Sequence, residues 1–131
     1  MDKTTISDCT RLSFADTPFP EVVMRLAGAG VRSYRADLVR RQSLYYGGDG
    51  DAYEHVLPLE GAAPIGDEFR AADVAASVRA IQQGEVGYAE FLRRIMRAGC
   101  ASYCVFIAGR KAMYFGKDGA FIEEPFPAPR T

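Results

Sequence analysis

One trio of side chains able to do chemistry occurs twice in the chain: Tyr34, Tyr45 and Glu54, then Tyr103, Tyr114 and Glu123. Phenols and carboxylates converging on one face could line a pseudo-symmetric pocket for a small ligand. The same residues also fit a packed core whose tyrosine hydroxyls are satisfied by glutamates at its rim. Repetition within a duplicated chain follows from structure as readily as from function, so both readings stay open.

Asp37 and His55 suggest a second chemistry, because a carboxylate can orient an imidazole that acts as general base. A sheet map from the strand pattern puts them two strands apart, on the order of 10 Å and beyond hydrogen-bond reach. Their counterparts in the second half are Phe106 and Glu124, and no serine or cysteine nucleophile stands beside either. A small acid-base enzyme using Asp37, Glu54 or His55 is therefore the alternative reading, and no residue is assigned as catalytic.

Cys9, Cys100 and Cys104 form an odd set without CxxC spacing, which argues against a disulfide framework and for small buried hydrophobes. His55 is the only histidine, so no metal site is expected. The GGDG and GKDG segments join strand to strand and do not lead into a helix, which favours hairpin turns over phosphate cradles. GDGD, with Asp49 and Asp51, has too few oxygen ligands for a dedicated calcium site. No cofactor is expected.

The elements that position these residues come in two copies. Residues 19–58 align without a gap on residues 88–127, with 13 of 40 positions identical, where chance gives about two or three. Phe19, Val22, Val23, Leu26 and Ala27 recur at the spacing of an amphipathic helix, and Tyr88, Phe91, Leu92, Ile95 and Met96 repeat it. Each helix is expected to stop at Gly30 or Gly99. Two extended runs follow, SYRADLV and QSLYY in one copy, SYCVFIA and KAMYF in the other, joined tightly at Arg40-Arg41 or Gly109-Arg110. Third strands are expected within DAYEHVL and AFIEEPF. Upstream, EFRAADVAASVRAIQQ reads as a good helix, with a weaker counterpart at residues 3–14.

The expected fold is α+β, a duplicated helix-helix-three-stranded antiparallel meander with helices packed on the sheet and an approximate two-fold axis. Residues 1–131 form a single domain: repeat one at 1–58, a connection at 59–69, repeat two at 70–131. At this length a second independent core is improbable.

Pairing Val39 with Gln42 across the first turn divides the side chains into faces. One face carries Tyr34, Ala36, Leu38, Ser43, Tyr45 and Glu54, with the twin set Tyr103, Val105, Ile107, Ala112, Tyr114 and Glu123. The other carries Arg35, Asp37, Val39, Gln42, Leu44, Tyr46 and His55 in copy one. In copy two it carries Cys104, Phe106, Ala108, Lys111, Met113 and Phe115. Copy two is apolar on both sides, so something must cover Cys104, Phe106, Met113 and Phe115, either the extra helices or an identical chain. A homodimer is expected.

Sixteen basic and seventeen acidic residues leave a formal charge of -1, giving no field to pull the chain onto nucleic acid or anionic lipid. Arg40-Arg41 and Arg93-Arg94 read as solvated surface. No apolar run approaches membrane-spanning length, and the first residues lack the pattern of a signal peptide. No nucleic-acid or membrane partner is expected, and a cytoplasmic location is.

The segments FPEVVMRLAGAGVRSYRADLVRRQSLYYGGDG and QQGEVGYAEFLRRIMRAGCASYCVFIAGRKAMYFGKDGAFIEEPFP carry a Gly-Val-x-x-Tyr motif followed by Tyr-Tyr-Gly. They also carry a Gln-x-Gly-Glu motif followed by Tyr-Phe-Gly. With these motifs the chain resembles, over nearly its whole length, the YbcV-like family, a bacterial and phage-associated group of unknown function. The resemblance implies the same duplicated fold and supplies no catalytic residues. Its members' frequent label, "phage envelope protein", implies a phage-associated structural role as a further alternative. The residues themselves favour a non-enzymatic binding or regulatory module for an unidentified small ligand or protein.

Overall fold

A computed structural model describes residues 1–127. Its elements follow the duplication: α1 Lys3–Phe14, α2 Phe19–Gly28, β1 Val31–Asp37, β2 Gln42–Gly47 and β3 Ala52–Val56. The second set is α3 Ala71–Gln82, α4 Tyr88–Arg97, β4 Cys100–Phe106, β5 Lys111–Gly116 and β6 Phe121–Pro125. The fold is the expected α+β arrangement, and the first helix is as long as its counterpart. Its start is fixed locally, since the Asp2 carboxylate accepts from the backbone N–H of Thr5 at 3.1 Å and caps the first turn. Pro20 stands in the first turn of α2, where its missing N–H costs nothing.

The strands form one antiparallel sheet in the order β3-β2-β1-β4-β5-β6. The two halves meet where β1 pairs with β4, Tyr34 opposite Val105 and Ala36 opposite Tyr103. A two-fold axis through this junction, normal to the sheet, leaves the helices of both halves on one face. There Ile6, Cys9, Val22, Leu26, Val74, Val78, Leu92, Ile95 and Met96 share one core with Tyr34, Ala36, Tyr45, Tyr103, Val105 and Tyr114.

The first hairpin differs from the expected tight turn. Asp37, rather than Val39, pairs with Gln42, so Leu38–Arg41 make a four-residue connection. The Asp37 carboxylate causes this by accepting from the N–H groups of Val39 and Arg40 at 3.0 and 3.1 Å, which turns the chain two residues early. Arg41 closes the turn with φ +55°, and Arg110 repeats it at +54°. A shift of two residues preserves side-chain parity, so the expected faces of β1, β2, β4 and β5 stand.

The third strands do not keep their expected parity. Tyr45 lies opposite Tyr53, and Tyr114 opposite Ile122, so Glu54 and Glu123 point away from the tyrosine face. The turn decides this: Gly47 N–H bonds to Asp51 C=O at 2.8 Å and Gly116 N–H to Ala120 C=O at 2.8 Å, enclosing an odd number of residues. Gly50 and Gly119, at φ +82° and +87°, make that loop accessible to an L-chain.

Gly30 and Gly99 occupy equivalent positive-φ positions after α2 and α4, at +92° and +95°. Their surroundings differ. A Cβ on Gly30 would come no closer than 3.6 Å to Met1, whereas one on Gly99 would lie 2.1 Å from the backbone oxygen of Glu68. Gly30→Ala should cost only the backbone strain, about 1 to 2 kcal/mol. Gly99→Ala should cost more, about 3 kcal/mol or above, because the chain at Glu68 must also move. Urea unfolding of both variants checks this, and equal losses would contradict it.

Candidate functional site

Tyr34, Tyr45, Tyr103 and Tyr114 come together as expected, in one row under the helices. The ring centroids of Tyr45 and Tyr34 are 5.2 Å apart, those of Tyr34 and Tyr103 6.4 Å, and those of Tyr103 and Tyr114 5.4 Å. Phe91 of α4 meets Tyr114 edge-on at 6.3 Å. Each alternate residue of β1, β2, β4 and β5 faces the helices, and tyrosine fills the sheet-to-helix gap while offering a hydroxyl at its far end. These hydroxyls meet the helices: Tyr45 approaches Thr10 Oγ1 of α1 at 3.5 Å, and the phenols of Tyr103 and Tyr88 of α4 bond to each other.

Burial pushes the Tyr34 and Tyr103 phenols well above their ordinary range, and raises those of Tyr45, Tyr88 and Tyr114. A phenol so placed is a weak acid, poorly suited to giving up a proton near neutrality. The space beside it is small. A cavity of about 20 Å³, lined by Cys9, Thr10, Ser13, Tyr34, Tyr45 and Tyr88 among others, separates α1 and α2 from the sheet. That holds about one water molecule, against the roughly 300–1,000 Å³ of a metabolite pocket.

Glu54 and Glu123 do not join the tyrosines. They are exposed on the opposite face, where Glu54 pairs with Arg40 at 3.6 Å and Glu123 with Lys111 at 2.8 Å. Asp37 and His55 also part, because His55 lies opposite Ser43 on the helix side and Asp37 opposite Ser102 on the other. Asp37 is occupied by the turn it makes, and the His55 ring stacks on Tyr53 at 5.9 Å. The GGDG turn differs by one residue from the strand pattern's expectation, which separates Glu54 from Tyr45 and His55 from Asp37.

The face away from the helices is the larger open feature. Its central row reads Glu54, Leu44, Arg35, Cys104, Met113, Glu123 across the six strands. The flanking rows hold Val56, Gln42, Asp37, Ser102, Phe115 and Phe121 on one side, and Ala52, Tyr46, Ser33, Phe106, Lys111 and Pro125 on the other. Phe106 is 36% exposed and Phe121 56%, while Cys104, Met113 and Phe115 are half-buried only by one another and their neighbours. Burial raises the Cys104 thiol and nearby Arg35 opposes the shift, while the Cys100 thiol, under the helices, is pushed up to about 12.

A groove of about 450 Å³ between α3 and α4 gathers Arg70, Arg94 and Arg97. Each is already met by a carboxylate, Asp73 for Arg70 and Glu90 for the other two. Among the described residues, no group of three or more His, Cys, Asp or Glu side chains is placed to hold a metal ion, and no helix is long and apolar enough to cross a membrane.

The model of a family described as "Protein of unknown function (DUF1398)" matches residues 15–124. The chain belongs to that family. The chain is also similar to an uncharacterized protein of Mycobacterium bovis and to two of Mycobacterium tuberculosis, from strains CDC 1551 and H37Rv. Each is 36% identical over 107 residues, covering 80% of this chain. The chain spans 65% of the length of these relatives.

The tyrosine layer of this DUF1398 protein has a consequence for alkaline stability. The folded state keeps these phenols protonated where the unfolded chain, with ordinary pKa values of about 10, releases them. Their raised pKa values leave stability intact below about pH 10 and remove it as pH rises further. In an absorbance titration, ionisation of Tyr34, Tyr45, Tyr88, Tyr103 and Tyr114 should coincide with loss of the circular-dichroism signal. Phenolate absorbance from all five with the fold intact would contradict this packing.

Proposed function

We propose that this DUF1398 protein is a non-enzymatic protein-binding module that docks its partner on the open face of the sheet. The observation that carries the reading is that copy two presents Cys104, Phe106, Met113, Phe115 and Phe121 on a face that no helix of the described residues covers. A broad, nearly flat surface of this kind matches another folded protein better than a small molecule, which needs a concave site. The tyrosine layer, holding about one water, works as core and scaffold. A cytoplasmic location fits the module, whose three cysteines are all unpaired.

The dispersal of Asp37, Glu54 and His55 weighs against the acid-base alternative. Position-specific crosslinking in cells tests the docking face. A benzophenone amino acid in place of Phe106 should give a discrete protein adduct, and one in place of Met24, which is 70% exposed on α2, should give none. No adduct from position 106, or equal adducts from both positions, would overturn the reading.

A further inference from the structure

We infer that the occupant of this face is a second copy of the chain, and that Arg35 of each subunit meets Glu123 of the partner subunit across a two-fold axis running between β4 and β5. The inference rests on the docking reading above and names its partner. It starts from an imbalance. Arg35 is exposed at the middle of the sheet, opposite Leu44 and Cys104, and pairs with no carboxylate among the described residues. Glu123 stands in the same row three strands away, with Cys104 and Met113 between them; Lys111 already meets it at 2.8 Å, and a second cation can share the carboxylate as Arg94 and Arg97 share Glu90.

Two such sheets packed face to face about an axis parallel to the strands keep their rows and reverse their strand order. If the axis lies between β4 and β5, β4 covers β5 of the partner subunit and β1 covers its β6. Cys104 then meets Met113 of the partner subunit, and Arg35 meets Glu123 of the partner subunit, each contact occurring twice. In the next row Phe106 meets Lys111 of the partner subunit, a cation over an aromatic ring. Sheets pack about 10 Å apart, a gap that an arginine and a glutamate reaching toward each other can span.

Other placements fit worse. An axis at the centre of the sheet, between β1 and β4, sets Arg35 against Cys104 of the partner subunit and gives it no carboxylate, while Glu54 and Glu123 of the partner subunit, each already held by a cation of its own chain, face each other. An axis perpendicular to the strands there sets Arg35 against itself. The shifted placement buries Cys104, Phe106, Met113, Phe115 and Phe121 of the second repeat and leaves β2 and β3, with Tyr46, Val56 and the Arg40–Glu54 pair, in water. The overlap is modest. Four strands about 4.8 Å apart and three rows about 6.8 Å apart give roughly 400 Å² of flat area per subunit. Against about 800 Å² per partner in a standard interface, this makes a weak, concentration-dependent dimer.

Sedimentation equilibrium over a wide concentration range tests the arrangement. The unmodified chain should climb from 14.3 kDa toward twice that mass. R35E and E123R should each weaken association on the order of tenfold or more, since like charges then face each other. The double variant R35E/E123R should restore it. R40E, outside the overlap, should associate as the parent chain does, and circular dichroism reports whether each variant is folded.

A single 14.3 kDa species at every concentration, or folded single variants that associate normally, would overturn the inference. So would a double variant that stays monomeric. The crosslinking result separates the two readings: an adduct from position 106 at a mass other than twice the chain's overturns the self-partner and keeps the docking face, while no adduct removes both.

Discussion

The antiparallel pairing of β1 with β4 is the contact on which the rest of the molecule depends, because it fuses two small meanders into one six-stranded sheet. Each repeat alone would have three strands and one layer of helix over a narrow apolar stripe, a marginal core. Joined about an axis normal to the sheet, the repeats place four helices side by side over one continuous row of tyrosines. The same symmetry leaves the opposite face without a helix among the described residues.

Burial and exposure therefore divide by face more than by repeat. On the helix side the two copies are nearly interchangeable, with Tyr34 and Tyr45 matched by Tyr103 and Tyr114. On the open side they have diverged: Arg35, Asp37 and Gln42 answer to Cys104, Phe106 and Lys111. A packed core constrains both copies equally, since each must fill the same gap at the same depth. An open face carries no such constraint, and there the first repeat mixes Arg35, Asp37 and Gln42 with Leu44, Tyr46 and Val56 while the second gathers Cys104, Phe106, Met113, Phe115 and Phe121.

Most of this organisation was legible in the residues. The duplication, the helix spacing, the positive-φ glycines at 30 and 99, and the faces of the four inner strands follow from period and turn chemistry. What misled was the count of residues in a turn. In the first hairpin the error was two residues, which parity forgives. At GGDG and GKDG it was one, which sent Glu54 and Glu123 to the far face and dissolved the expected pocket. The number of residues a glycine-rich turn encloses depends on which backbone bond closes it, and composition does not specify that. The apolar second face of copy two was visible too, whereas its lack of a helix cover required the three-dimensional arrangement.

The central claim, that one methionine-bearing face is sealed and the other is available to a second copy, can be read from the methionine methyl groups by NMR with a soluble paramagnetic agent. In dilute solution Met24 and Met113 should both be broadened and Met96, 1% exposed beneath the helices, should not. Raising the protein concentration should protect Met113 alone. Broadening of Met96 to the extent of Met113, or a Met113 signal as accessible as that of Met24 at every concentration, would contradict the account.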